Sequence, residues 1–460
     1  MDSITVKNYR CFGEKQTAIL APITLLVGEN STGKTSLMAM VRALWDASID
    51  ERVPNFKEEP YDLGSFDEII HRTGGRGSIE EHFTAGFGIN DQHEMTYDVE
   101  IEFGSQQAAP VPIRRRISRG SYWIDQSFDD HGGYCIIAGS QNGKWSYNPS
   151  DVDKSLLEHA PINVILNHAR LLMAFHRARD ENISRASTFD SIEDSPEMSE
   201  EDYSRLVDLL HMFPYRRHYR GNPNSSERPF ASAPTRSQPR RTYNPARVVP
   251  DAEGDYAPMY LAWLALHEPK IWEKIKGQLE EFGRLSGLFN DIRVRRLGTT
   301  AADPFQVQVR KFDGRRKGPF RNLVDVGYGV SQALPLIVEL LRDDSSEMLL
   351  LQQPEVHLHP SAAAALGTLF GTFVTKSRAR ERRLLVETHS DAIIDRVRIS
   401  VREGLAGIRP EDVSILYFER RDLGVEIHSL SIDQQGNLLG TPPGYRRFFM
   451  EESRRFFGIE

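Results

Sequence analysis

Gly28-Glu29-Asn30-Ser31-Thr32-Gly33-Lys34-Thr35-Ser36 follows the apolar run Ile23-Thr24-Leu25-Leu26-Val27 and precedes the helical spacing Leu37, Met40, Val41, Leu44, Trp45. The pattern G-x-x-x-x-G-K-[ST] sets two glycines where the backbone must curl around an anion, so that main-chain N–H groups converge on it. A buried strand before the loop and a helix N-terminus after it complete a phosphate-binding geometry. In that frame Lys34 reaches the β- and γ-phosphates and Thr35 holds Mg²⁺. The competing reading, a chance Gly-rich turn, does not account for strand, loop and helix in order.

The chain of 460 residues is long enough for about two to four structural units, one of them an insertion. Hydrophobic residues make up 39% and charged residues 27%, a globular balance, and the formal net charge of −8 does not announce nucleic acid. A local basic patch remains compatible with that sum. Cys11 and Cys135 are too few for a disulfide framework, no secretory signal opens the chain, and no apolar run approaches the ~20 residues of a membrane span. The expected compartment is the cytosol, with no membrane role.

Ile4 to Phe12 alternates like a strand, and Thr17 to Leu20 gives a second. From about Ser78 to Asn148 alternation repeats in Thr96 to Phe103, Val111 to Ile124 and Tyr134 to Ala138, which predicts an antiparallel meander with one wet face. Asn163 to Ala178 and Glu201 to Phe213 carry helical spacing around an acidic, Ser-rich stretch. Tyr215 to Val249, with Arg216, Arg217, Arg220, Arg236, Arg240, Arg241 and Arg247, reads by composition as a mobile loop. Its arginines either pair with the acidic stretch just before them or hold phosphate or nucleic acid. One long helical pattern runs from Pro258 to Phe289, and Phe305 to Phe312 alternates again. The last third is α/β in tight order: the glycine-rich Asp325 to Gln332 before a helix, the apolar strand Met348 to Leu351, and Gln352-Gln353-Pro354-Glu355-Val356-His357-Leu358-His359-Pro360. Leu384 to Glu387 and Thr388-His389-Ser390 follow.

The order phosphate loop, glycine-rich segment, Q-P-E-x-H-L-H-P and E-T-H-S resembles the ABC-type ATPase head shared by RecF, SMC and OLD proteins. More narrowly, it resembles the stand-alone OLD-like AAA-family ATPases of bacterial anti-phage systems. Asn8-Tyr9-Arg10-Cys11-Phe12 also matches that family's N-[FY]-R-x-F start. The resemblance implies an α/β fold, a P-loop NTPase head of the ABC type with an N-terminal antiparallel β subdomain and a largely helical insertion. The implied division is 1–150, 151–300 and 301–460.

It implies ATP and Mg²⁺ as cofactors, with Gly28, Glu29, Asn30, Ser31, Thr32, Gly33, Lys34, Thr35 and Ser36 as Walker A. Gln352 and Gln353 fall at the Walker B positions, Gln352 beside Thr35 as the Mg²⁺ partner. Gly327, Gly329, Ser331 and Gln332 form the signature, closing in trans on the γ-phosphate of a second copy, and His389 is the switch histidine. The two glutamines depart from the usual carboxylates: Gln is no base and a poorer Mg²⁺ ligand. Glu355 is then the nearest carboxylate, with Gln353 and His389 completing the catalytic set of a slow hydrolyser. Other readings stand beside these. Glu355 could cap the helix that begins near Ser361, and Ser390 could cap the next one, His389 then belonging to that cap. His357 and His359 have no ligand cluster around them and read as structural loop histidines.

Three functions compete: a nucleotide-gated ATPase that oligomerises on ATP and governs a separately encoded effector such as a nuclease or toxin, a non-hydrolysing ATP-bound scaffold, and a RecF-like DNA-repair clamp. The segment 215–249 is the expected nucleic-acid contact. The ~70 residues after His389 are short for the Toprim nuclease domain of OLD proteins, so nuclease chemistry is expected in a partner.

Overall fold

The computed structural model describes all residues except 50–53, 73–80, 91–95, 129–133, 148–189, 193–194, 219–227, 246–247, 377–381, 423, 446–453 and 456–460. The helical pattern at 163–178 falls outside the described residues, as does most of the helical segment that the sequence predicts from Tyr445 to Phe457. The chain opens with β1 (Ser3–Lys7), β2 (Gln16–Ile19) and β3 (Ile23–Gly28), which separate into two compact units. One unit gathers Met1–Leu20, Ser31–Arg228 and Arg420–Ile427, and the other gathers Ala21–Asn30, Pro229–Glu419 and His428–Glu460. These units cut the chain differently from a division by sequence blocks, because sheet pairing sorts each segment by its hydrogen-bond partners.

The first unit holds α1 (Lys34–Ile49), the short pair β4 (Lys57–Glu58) and β5 (Tyr61–Asp62), and α2 (Phe66–Ile69). Its meander continues as β6 (Phe83–Asn90), β7 (Thr96–Gln106), β8 (Ala109–Arg119), β9 (Tyr122–Phe128), β10 (Tyr134–Gly139), β11 (Lys144–Tyr147) and β12 (Asp190–Ile192), before α3 (Glu200–His218). The sheet order β12-β11-β10-β9-β8-β7-β6-β1-β2 is antiparallel at every pairing. The expected alternation is present: Tyr97, Val99, Ile101 and Phe103 of β7 are buried while the residues between them are not. The Val111–Ile124 run is two strands, because Gly120, at φ +57°, turns the chain between β8 and β9.

The second unit is built on a seven-stranded sheet. Its elements in chain order are β13 (Phe230–Ser232), α4 (Ala257–His267), α5 (Pro269–Ser286), β14 (Asp291–Arg296), β15 (Phe305–Arg310), β16 (Phe312–Asp313), β17 (Arg316–Lys317) and β18 (Arg321–Asn322). Next come α6 (Tyr328–Leu341), β19 (Met348–Gln352), α7 (Pro360–Thr375), β20 (Arg383–Glu387), α8 (Asp391–Glu403), β21 (Val413–Arg421), β22 (Gly424–Ile432) and β23 (Leu438–Leu439). The order is β13-β19-β20-β3-β21-β22-β23, parallel from β13 through β21. Strands covered on both faces read as continuous apolar runs, and Ile23, Leu25, Leu26, Leu349, Leu350, Leu351, Leu384 and Val386 are all within 1% of full burial. Across these strands Leu350 pairs with Leu385, Val386 with Leu25 and Leu25 with Ile415, so the parallel strands are in step. α6 is buried continuously from Val330 to Leu341 and forms the centre of this core.

Two expectations are corrected here. The single helix predicted over Pro258–Phe289 is two, α4 and α5, because Pro269 at the first turn of α5 forces the preceding Glu268 out of helical geometry, to φ −130° and ψ 62°. The predicted mobile loop Tyr215–Val249 begins inside α3 and contains β13, which docks parallel to β19 with Phe230 opposite Leu349. Three residues carry too little period for that strand to be visible in the sequence.

Candidate nucleotide site

In the phosphate loop the strained conformations fall where an anion cradle needs them: Gly28 at φ +141°, Ser31 at +60° and Gly33 at +85°. A Cβ on Gly28 would lie 2.5 Å from the Phe418 carbonyl oxygen, and one on Gly33 would lie 2.3 Å from Cys11 Sγ and 2.7 Å from Phe12 Cζ. The N-Y-R-C-F stretch thus forms the floor under Gly33. Tyr9 and Phe12 are fully buried, the Tyr9 hydroxyl donates to the Ser36 carbonyl at 2.9 Å, and Arg420 Nη2 donates to the Ser31 carbonyl at 3.0 Å. Burial pushes the Cys11 thiol up to about 11, which keeps it neutral. Lys34 opens α1 and is buried, and Thr35 beside it is exposed. Gly28, Glu29 and Asn30 belong to the unit of the parallel sheet, and Ser31 through Ser36 to the other.

At the C-terminal ends of the parallel strands, β19 runs into Gln352-Gln353-Pro354-Glu355. The Gln352 N–H donates to Ser232 Oγ of β13 at 3.2 Å, and the Gln353 N–H donates to the Glu387 carbonyl at 2.8 Å, with Gln353 held at φ +40°. This places Glu355 opposite the turn after β20. Glu355 Oε1 accepts from Thr388 Oγ1 and from the His389 N–H, both at 2.8 Å, while the Thr388 N–H donates to the Leu26 carbonyl of β3 at 3.1 Å. Glu355 Oε2 is buried without a hydrogen-bond partner. The carboxylate is therefore not a helix cap. His359 fills that role on α7, accepting from the Ser361 N–H, and Ser390 caps α8 by accepting from the Ile393 N–H. His389 is exposed.

Behind this turn stands a residue that the sequence reading assigned to a charged loop. Arg236 is only 2% exposed. Its guanidinium donates to the carbonyls of Gln332 at 3.2 Å, Pro234 at 3.0 Å and Gln353 at 3.5 Å. Gln332 in turn grips the Arg236 main chain, accepting its N–H at 3.1 Å and donating to its carbonyl at 3.2 Å. Burial lowers the Arg236 pKa to about 10 against the opposing pull of the Glu355 charge, so the group stays cationic at neutral pH. Nothing in its spacing separates it from its neighbours. Arg240 and Arg241 pair with Asp255 and Asp325 rather than with the acidic stretch before the segment.

The glycine-rich signature divides in two. Ser331 is buried with its hydroxyl donating to the Tyr328 carbonyl at 3.0 Å, and Gln332 is committed to Arg236. The exposed part is Gly327, the N-cap of α6, and Tyr328, 58% exposed, whose ring lies 5.8 Å from that of His357. Three buried polar atoms near β19 lack partners among the described residues: Arg236 Nη2, Gln352 Nε2 and Glu355 Oε2. Two donors and one anionic acceptor left open in this way fit a phosphate and a hydrated cation, and the glycine cradle fits the phosphate chain.

A family profile described as an AAA domain of the AbiEii toxin type (type IV TA system) matches residues 145–395, more than half of the chain, and one described as an AAA ATPase domain matches residues 1–97. The chain belongs to the AbiEii-type AAA family. A search of curated proteins returns no match. Among solved structures, an SMC head bound to the C-terminal winged-helix domain of ScpA is 9% identical, covering 94% of this chain and 98% of that one at a TM-score of 0.42. The SMC head of Thermotoga maritima is 11% identical, covering 93% and 97% at 0.37. The Pyrococcus furiosus SMC head with an extended coiled coil is 10% identical, covering 98% and 99% at 0.41. Superpositions this loose carry no part of the functional reading. No helix among the described residues is long and apolar enough to cross a membrane.

Proposed function

We propose that this AAA-family chain binds ATP in its phosphate loop, hydrolyses it slowly, and uses the bound state to join a second copy and govern a separately encoded effector. The observation that carries the reading is Glu355, with one oxygen fixed by Thr388 and His389 and the other open. Fixing one oxygen orients the other without side-chain searching, which is what a general base for an attacking water needs. Gly28 through Gly33 would wrap the phosphates, Lys34 would meet the β- and γ-oxygens, and Thr35 would hold Mg²⁺. The ion when bound would neutralise charge on the phosphates. Gln352 and Gln353 supply hydrogen bonds but no negative charge, which makes proton removal slow. The start of α6, with Gly327 and Tyr328 exposed and Gly329 partly so, would present helix N–H groups to the nucleotide of a second copy. Membership of a family of the AbiEii toxin type, from a type IV TA system, supports a system of two components in which this chain acts with a partner protein.

Glu355→Gln preserves the anchored oxygen and removes the base. Turnover should fall by about 10²–10³-fold while ATP affinity stays within about threefold. Undiminished turnover in that variant sinks the assignment. The unpartnered amide of Gln352 favours a second reading, an ATP-bound scaffold. Tight ATP binding with turnover no faster in the parent than in Glu355→Gln would select it.

A further inference from the structure

Between α5 and the signature, the 32 residues from Asp291 to Asn322 carry nine basic side chains against three acidic ones, in a chain whose net charge is −8. Their placement gives the excess a direction. β14 and β15 pair antiparallel, with Arg293 opposite Gln308 and Asp291 opposite Arg310, and β18 adds Asn322 opposite Gln308. Ile292, Val307 and Val309 turn inward and are buried, so Arg293, Arg295 and Arg310 share the outer face. The hairpin β16–β17 adds Lys311, Arg315, Arg316 and Lys317, all exposed; Lys317 lies opposite Phe312, whose ring centre is 5.5 Å from the Arg310 guanidinium. Among the described residues only Arg310 of the nine is ion-paired, to Asp291.

Two of the cations are held in place. Arg293 donates from Nε and Nη2 to Gln308 Oε1 at 2.9 and 2.8 Å, and the guanidinium groups of Arg293 and Arg310 lie 3.8 and 4.2 Å from the centre of the Phe320 ring. With Phe320 covered by cations, it is not a platform for stacking bases.

We propose that this face binds the phosphodiester backbone of a nucleic acid without reading its sequence. Same-face side chains on a strand recur at about 6.6 Å, and because a duplex strand winds around its axis, the ~3.4 Å axial rise per phosphate becomes a through-space step of about that length, so Arg293 and Arg295 match neighbouring phosphates. A protein partner fits less well, because tight protein interfaces rest on buried aromatic or aliphatic anchors, and the large exposed apolar side chains here are Leu297 and Phe312 alone. The interface is built from residues other than those of segment 215–249, the contact expected from composition: that segment borders the sheet through Tyr243, which bridges Phe305, but its Arg236 is buried and its Arg240 and Arg241 are ion-paired. The proposal stands independently of nucleotide chemistry and is tested without ATP.

Fluorescence anisotropy with duplex DNA and duplex RNA of about 20 base pairs, read across a salt series, measures it directly. The exposed residues Arg295, Arg315 and Arg316 are reversed together as R295E/R315E/R316E, with R295K/R315K/R316K as the charge-conserving control. The reversed variant should lose at least about tenfold in affinity near 0.1 M salt and flatten the log–log salt slope by about two to three, while the lysine variant stays within a few fold of the parent. Binding of either duplex with that pattern supports the proposal. Parent-like binding by the reversed variant overturns it. So does a loss that follows R216E/R217E/R220E instead, or polyglutamate competing as well as DNA at equal charge.

Discussion

Replacing Arg236 by Met tests how the signature helix is coupled to the turn that carries Glu355. The main-chain grip of Gln332 on residue 236 does not depend on the side chain and survives the change. What disappears is a guanidinium donating to three carbonyls, those of Gln332, Pro234 and Gln353, and standing in the field of Glu355. Leaving those carbonyls without their donor, and the Glu355 carboxylate without the nearby positive charge, costs roughly 3–5 kcal/mol. Removing a buried cation returns part of its desolvation, the effect that already pulls its pKa down to about 10. Met fills most of the vacated stem, so cavity formation adds little. The net expectation is a loss of about 2–4 kcal/mol of stability. Arg236→Lys should recover only part, since an ammonium cannot spread its donors over three carbonyls in a plane. Gln332→Leu removes the complementary half of the contact and should be non-additive with Arg236→Met in a double-mutant cycle. Urea unfolding of the four proteins provides the measurement. A stability for Arg236→Met within about 0.5 kcal/mol of the parent would show that this arginine does not tie the two segments together.

Gly33→Ala must place a Cβ in a left-handed conformation and against Cys11 and Phe12, so calorimetry should show ATP binding lost and thermal unfolding a cost of about 2–3 kcal/mol. Adding Cys11→Ala relieves the closest clash but not the backbone strain, and should restore stability only in part. Tyr328→Ala, at an exposed position, should leave the folded monomer intact and abolish ATP-dependent self-association in light scattering. Burial raises the Tyr9 phenol far above its ordinary value, so its contribution is complete below pH ~10 and is lost as pH rises beyond that. Stability from urea unfolding should therefore hold level from pH 8 to about 10 and decline above that, by up to about 1.4 kcal/mol per pH unit for each such group, and Tyr9→Phe should decline less steeply.

The phosphate loop, the apolar strands β3, β19 and β20 and the meander β6–β11 were legible in the sequence, because each is written in a local signal: fixed glycine spacing, a continuous apolar run, or alternation. Glu355 was also legible as the nearest carboxylate to the two glutamines. That one of its oxygens is anchored and the other left open was not, since Thr388 and His389 reach it only when β20 lies beside β19. Arg236 shows the opposite case. Composition placed it in a solvated or nucleic-acid-binding loop with its neighbours, and pairing of a three-residue strand with β19 carried it into the core. The basic face of β14–β18 was hidden for the same reason. Its charges come from separate strands and a hairpin, diluted along an acidic chain and gathered only by antiparallel register. Local chemistry thus determined which residue types can cradle a phosphate, while long-range strand pairing decided which carboxylate, arginine and cationic surface stand ready to act.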